Sequence, residues 1–386
     1  MVLFFALILT KVYSQNLPYK FSQEIEKEKL NNKDVFALQL AATDFAFQGD
    51  YIGALRNWNE QRPDQKGIPF STYDSLFLEQ SKIVSAKEYI IERSKIESIL
   101  ILNELHHNPS HRIFASSLLK ELYENGYRYL GLEALSDVEI NVRKFATLES
   151  GFYTAEPHFA NLIKEALDLG FILFGYEASA EAKWDNDKWK NREIAQAQNI
   201  YLFMQNHAEG KYFIYCGAGH AFEGDNNGRG LSMAAVLADL TKINPFTIDQ
   251  NRYSYKADIR YNNPLSESIR NDLPSVLIHS TGEVFRGSAS SYETDISVIQ
   301  PSSSFENKPF FWLADYGTRF KVPYEKITSY PVLVLIYRED EMEKGGVPAA
   351  VFELKSETEK KDIYLKKGNY QTVVLNEEYQ RIYPTD

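Results

Sequence analysis

The sequence predicts an α/β fold: a mostly parallel sheet covered by helices, with an N-terminal helical segment and a β-rich C-terminal appendage. Three observations predict it. Between residues 96 and 262, apolar runs of strand length alternate with helical stretches, as in "ESILILNEL", "RIFASSLLKELYENG" and "YRYLGLEAL". Continuous apolar strands separated by helices mark a sheet buried on both faces. Gly126, Gly170 and Gly210 each fall between a helical stretch and the next strand, where a left-handed helix cap is expected. From about residue 263 the helical rhythm stops and short strand candidates follow one another between Gly, Pro and Ser turns.

The elements follow in order. An apolar run over residues 2–10, then Val12, Tyr13 and Ser14, resembles a secretory signal peptide occupying residues 1–14. The run is too short to span a bilayer as a stable helix, so the chain is expected to be exported, periplasmic or secreted, with no transmembrane span once the signal is removed. Residues 15–95 read as helical. "AATDFAFQGDYIGALRNWNE" has the Ala/aromatic spacing and Gly49-Asp50 turn of a helical hairpin and resembles one tetratricopeptide unit. A single unit cannot stack into a solenoid, so a packing role for the next domain is expected. "YDSLFLEQSKIVSAKEYIIERSK" continues the helical period.

Residues 96–262 carry the α/β domain, with later strands in "FILFGYEAS", "KYFIYCGAGHAF" and "PFTIDQ". Residues 263–386 carry the β-rich region, with strand candidates "PSVLIHS", "DISVIQP", "PFFWLA", "YPVLVLIYRE", "VPAAVFELKS" and "YQTVVLNEEY". "REDEMEK" within it reads as a solvated loop.

Charge and cysteine content narrow the partners. A net charge of −11 argues against nucleic acid, whose phosphates want a basic face, and against anionic membranes. With Cys216 alone, no intramolecular disulfide can form.

Four strands of the α/β region end alike: Asn103-Glu104-Leu105-His106-His107, Gly131-Leu132-Glu133, Gly175-Tyr176-Glu177 and Gly217-Ala218-Gly219-His220. In a parallel sheet with helical crossovers these ends share one edge, where such folds bind ligands. Glu104 and His106 are two apart and project from one strand face, His107 from the other. A carboxylate beside an imidazole fixes its tautomer and stabilises the charged form during proton transfer. Arg192 and Asn199 are two helical turns apart and share a face. Arg192 stands in a first turn, where the helix dipole disfavours a cation, which suggests a task for it at an anion or developing oxyanion. "ASAEAKWDNDKWKN", with Trp184 and Trp189, is a candidate lid over the same edge. The catalytic candidates are therefore Glu104, His106, Glu133, Arg192 and His220. His107, Glu177, Trp184 and Asn199 are candidates for holding substrate.

"NELHHNPSHR", "LGLEAL", "REIAQAQN" and "GAGHAF" resemble the motif series of the erythromycin esterase, ChaN and Tiki/TraB superfamily over residues 96 to 250. That resemblance places Glu104 and His106 on the first motif, Glu133 on the second, Arg192 on the third and His220 on the fourth. Asn103 departs from it, standing where the family usually has glycine. The "RE…N" helix leans toward the esterase branch, understood to hydrolyse a lactone without metal by a His general base. "ELHHNPSHR" looks more like the haem-binding ChaN branch, and the Tiki branch is described as metal-dependent proteases. The expectation is a hydrolase of an ester, lactone or amide bond, acting on a small-molecule or peptide substrate. It would work without cofactor or with a divalent metal, Zn or Mn, for which Glu104, His106, Glu133 and His220 are the candidate ligands. The alternative is a non-enzymatic binder of haem or another ligand serving uptake. No Gly-x-Ser-x-Gly elbow occurs, which disfavours a serine nucleophile.

Overall fold

The computed structural model describes residues 17–34, 36–67, 69–179, 188–225, 228, 230–269, 273–287, 294–301 and 316–383. The signal-like run, Trp184 and the expected strand "PFFWLA" lie outside the described residues.

Eight strands build the central sheet: β1 (Ser81–Ser85), β2 (Ile99–Glu104), β3 (Tyr127–Leu132), β4 (Ile172–Gly175), β5 (Lys211–Gly217), β6 (Phe246–Tyr253), β7 (Ser275–His279) and β8 (Ile296–Ile299). Their order is β1-β7-β8-β6-β2-β5-β3-β4. From β8 to β4 all neighbours are parallel, and β7 runs against both of its neighbours. The chain steps outward from β2 to β3 and β4, returns to place β5 between β2 and β3, then crosses to β6. That reversal makes a crevice at the carboxyl ends of β2 and β5.

Helices α1 (Ser22–Asn31), α2 (Ala37–Gln48), α3 (Tyr51–Gln61), α4 (Thr72–Glu79) and α5 (Ala86–Ser94) precede the parallel core. Helices α6 (Ser110–Glu124), α7 (Ile140–Arg143), α8 (Pro157–Leu169), α9 (Lys188–Asn206), α10 (Met233–Thr241) and α11 (Pro264–Ser268) follow. Alternation along β2 divides the core. Leu100 and Leu102 pack with Leu118, Leu119 and Leu122 of α6 and Phe159 and Ile163 of α8. Ile99 and Ile101 face Ala197 and Ile200 of α9 and Met233 and Leu237 of α10. Helices therefore cover both faces, as the unbroken apolar strands require.

Two expectations change. Residues 72–94 are not one helix, because "SKIVS" pairs antiparallel with β7 nearly two hundred residues later, a partner that overrides the local helical period. The sheet also reaches outside residues 96–262, since β1, β7 and β8 belong to it. The α2–α3 hairpin is present. Gly49 turns the chain at φ 82°, and the Asp50 side chain caps α3 by accepting from the Gly53 N–H at 2.9 Å.

The C-terminal region adds β9 (Thr318–Phe320), β10 (Val332–Arg338), a one-turn α12 (Glu339–Met342), β11 (Ala350–Leu354), β12 (Ile363–Leu365), β13 (Tyr370–Leu375) and β14 (Arg381–Tyr383). β11-β10-β13-β14 form an antiparallel sheet, and β9 pairs with β12. One face of this sheet packs Leu333 and Leu335 against Tyr19, Phe21 and Phe47 of the N-terminal segment. "REDEMEK" is not a solvated loop: it forms α12, and Glu341 is buried there beside Arg338. Among the described residues no helix is long and apolar enough to cross a membrane.

Candidate active site

β2 delivers Glu104 at its last residue, where the strand leaves the core with its carboxylate still buried. Arg112, two residues into α6, folds back beneath it: Nε donates to Oε2 at 2.8 Å and Nη2 to Oε1 at 2.9 Å. Tyr215 of β5 donates to Oε2 at 2.8 Å. Oε1 also meets His106 Nδ1 at 2.7 Å. Burial opposes the Glu104 charge, but Arg112 and His106 outweigh it and hold its carboxyl well below the usual range. Arg112 is itself fully buried and is shared with Glu156, whose Oε2 accepts from Nη1 at 2.7 Å.

His106 thus has its Nδ1 fixed by Glu104, and its ring is fixed by Tyr153, stacked 3.9 Å away at 17°. Nε2 is left toward the crevice. Gly217 borders it there: a Cβ on that residue would stand 3.0 Å from His106 Nε2 and 3.2 Å from Glu133 Oε2. This glycine lets the base and a carboxylate meet over backbone. The glycines of β3 and β4 have other reasons, since side chains there would strike Phe174 and Ile214 or the Leu135 carbonyl.

The second half of the site is built around Arg192. Its Nη2 donates to Glu133 Oε1 at 2.5 Å and also to Glu177 Oε2, while Nε donates to Glu177 Oε1 at 3.0 Å. Its Nη1 lies 3.0 Å from His220 Nε2. Glu133 Oε2 accepts from the Gly217 N–H at 2.5 Å. His220 donates through Nδ1 to Glu193 Oε2, 2.9 Å away, and lies flat under Trp189, with centroids 5.6 Å apart at 13°. Burial opposes a charge on His220, but Glu133 and Glu193 outweigh it and raise its pKa to about 10. The Arg192 contact argues the other way, because a guanidinium N–H wants a lone pair on Nε2. The two carboxylates outweigh the one guanidinium and favour the cation, for whose Nε2 proton Glu133 Oε1 stands 3.4 Å away. Burial would raise the Glu133 pKa, but His220, His106 and Arg192 bring it well below the usual range.

Glu104, His106, Glu133, Glu177, Arg192 and His220 line one cleft of about 530 Å³. His107 borders it too, with a correction: β2 ends at Glu104, so both histidines sit in the following turn rather than on opposite strand faces. His107 is buried, stacked on Trp58 of α3 at 4.1 Å and 18°, and burial lowers its pKa. Asn199 does not line the cleft. It donates to the Tyr176 and Glu177 carbonyls at 3.1 and 3.2 Å, which makes it a support for the loop bearing Glu177 and not a substrate contact. His111 accepts from the Leu105 N–H at 3.0 Å, and burial lowers its pKa to about 3, so it braces the turn as a neutral ring.

Sequence reasoning missed Arg112, Glu156, Glu193, Tyr153 and Trp58. A charged residue just inside the helix after "NELHHNPSH" was the available signal for Arg112, and adjacency to Arg192 was the signal for Glu193. Glu156 reads as an ordinary N-cap before Pro157, and it does cap α8 by accepting from the Phe159 N–H. Nothing in the sequence marks Tyr153.

The donor set does not fit a divalent metal. Among the described residues no group of three or more His, Cys, Asp or Glu side chains is placed to hold one. The physical reason is that Arg192 stands among Glu133, Glu177 and His220, where a metal would have to stand, and a guanidinium cannot share that position. Haem fits no better: it asks for a broad apolar slot, and this floor holds three carboxylates.

No family model matches the chain, and no curated protein matches it. Among solved structures, the type III effector HopBA1 aligns at 13% identity and TM-score 0.29, over 36% of this chain and 74% of that one. RRSP, a MARTX toxin effector domain from Vibrio vulnificus CMCP6, aligns at 14% identity and TM-score 0.31, over 70% of this chain and 51% of that one. A chain described under "Bacterial protein toxins" aligns at 15% identity and TM-score 0.33, over 60% of this chain and 53% of that one. This chain therefore spans about half the length of the last two. Likenesses of this strength decide neither fold nor function.

Proposed function

We propose that the protein is an exported hydrolase that cleaves an ester, lactone or amide bond with water activated by His106. The observation that carries the reading is the ring of His106, held through Nδ1 by a buried carboxylate at 2.7 Å with Nε2 beside Glu133 across Gly217. A water between Nε2 and Glu133 Oε2 meets two acceptors, so its protons point at groups able to take or hold them. His106 takes one proton as the water oxygen bonds to the carbonyl carbon. The Nη1 group of Arg192 and the His220 cation face the negative charge that develops. His220 then gives a proton to the leaving oxygen or nitrogen as its bond to carbon breaks, yielding a carboxylic acid and an alcohol or amine. Exchange with solvent returns both imidazoles to their starting states. Glu104 and Arg112 position the base and touch no reacting atom.

The test is a panel of lactones, esters and peptide amides, assayed with the wild type and with His106→Ala. General-base loss should lower turnover by about 10²–10⁴-fold, with far-ultraviolet circular dichroism unchanged. Undiminished turnover by the variant overturns the assignment. Export is supported by the signal-like run of residues 1–14, and N-terminal sequencing of the secreted chain tests it by the expected start at Gln15.

A further inference from the structure

The α2–α3 hairpin does more than pack. Gln39 and Thr43 of α2, Trp58 of α3 and Arg62 at its C-cap all line the active-site cleft. Trp58 is pinned flat on His107 and holds the hairpin against the site. The charges of the cleft then separate into two zones. On the floor, Glu133 and Glu177 are tied to Arg192, and Glu104 is tied to Arg112 below. Arg62 is different. It is exposed at the rim, and neither its guanidinium nor the Gln39 amide has a hydrogen-bond or ion-pair partner among the described residues. The helix dipole accounts for a cation at a helix C-terminus. It does not account for a cation and an uncommitted amide both lining the cleft.

We propose that the substrate carries an anionic group, a carboxylate, phosphate or sulfate remote from the scissile bond, and that Arg62 with Gln39 receives it at the cleft rim. The guanidiniums of the floor are already engaged by its carboxylates, whereas the rim guanidinium is free to receive such a group. The substrate is therefore oriented, anion outward against the hairpin and carbonyl inward between His106 and His220. A guanidinium presents paired N–H donors that match two oxygens of such a group, and the Gln39 amide can supply a third. This inference names the substrate class of the hydrolytic site and rests on that reading.

Two measurements on the full mature chain separate the inference from the reading beneath it. The first is direct binding, by calorimetry, of glutarate, inorganic phosphate and sulfate, with glutaramide as the uncharged control. One of the anions should bind saturably and glutaramide should not, and Arg62→Gln should weaken the binding by about tenfold with the thermal midpoint unchanged. No anion binding, or equal binding by the variant, overturns the inference whatever the enzyme activity. The second uses a matched pair of aryl esters whose acyl chains end in a carboxylate or a carboxamide. The wild type should show the lower KM for the carboxylate, and Arg62→Gln should collapse that ratio through KM rather than kcat. Anion binding lost in Arg62→Gln, with both esters untouched by the wild type, keeps the anion site and overturns the hydrolytic reading. Turnover with no KM preference keeps the hydrolase and overturns the anion.

Discussion

His220 carries the clearest consequence at the scale of single residues. Its folded pKa of about 10 stands above the ordinary value near 6.5, so the folded state binds a proton more tightly than the unfolded chain. The stability this gives is fully present below pH 6.5 and is lost as pH rises toward 10. Lys256, lowered to about 8 by burial, works in the opposite sense over part of that window, so the difference between two chains is the clean readout. The thermal midpoint of the wild type minus that of His220→Gln should be greatest below pH 6.5 and shrink toward pH 10. A difference constant across that range removes the charge assigned to His220. The residues that could be read from sequence were those whose type and strand-end position announced chemistry: Glu104, His106, Glu133, Glu177, Arg192 and His220. Those that escaped act by contact alone. Arg112 and Glu156 meet across 44 positions, and Tyr153 reaches His106 from a single 3-10 turn before α8. No local pattern encodes such meetings.

Among the elements, the helical hairpin is the instructive case. Gly49 and Asp50 announced its turn, and the structure adds what surrounds it. Gly49 adopts φ 82°, and a Cβ there would stand 2.2 Å from the Val351 carbonyl oxygen of β11. Both the left-handed backbone and the close approach exclude a side chain. Gly49→Ala should therefore destabilise the protein by more than about 1 kcal/mol, measured by urea denaturation, whereas Gly67→Ala, with open space around its Cβ position, should show only the backbone part of that loss. The parallel strands β2 to β6 and the main helices between them were legible because apolar runs alternate there with helical stretches. β1 was not, because five residues flanked by helices declare themselves a strand only through β7, far along the chain.

Over the whole molecule, the linear division into helical, α/β and β-rich stretches does not describe how the apolar surface is buried. Tyr19, Phe21 and Phe47 share a cluster with Leu333 and Leu335, Tyr19 donates to the Ala155 carbonyl, and Asn161 of α8 donates to the Ala349 carbonyl. The two ends of the chain thus close on each other and on the central layer. Stretches that complete one another's cores unfold together. Urea unfolding followed by tryptophan fluorescence and by far-ultraviolet circular dichroism should give coincident transitions, and two separated midpoints would show that the C-terminal sheet stands alone. Sequence could not reveal this closure, because each end reads as a sufficient amphipathic unit by itself.

The position of Cys216 extends that cooperativity to the chain's fate in oxidising surroundings. The sole thiol lies in β5, between β2 and β3, buried and held protonated by its surroundings. While the sheet is closed, oxidising surroundings find nothing to react with. Once β5 is uncovered, no second cysteine of the same chain can pair with its sulfur, so oxidation of opened chains joins them through an intermolecular disulfide. The history of a stored sample can then be read from a non-reducing gel.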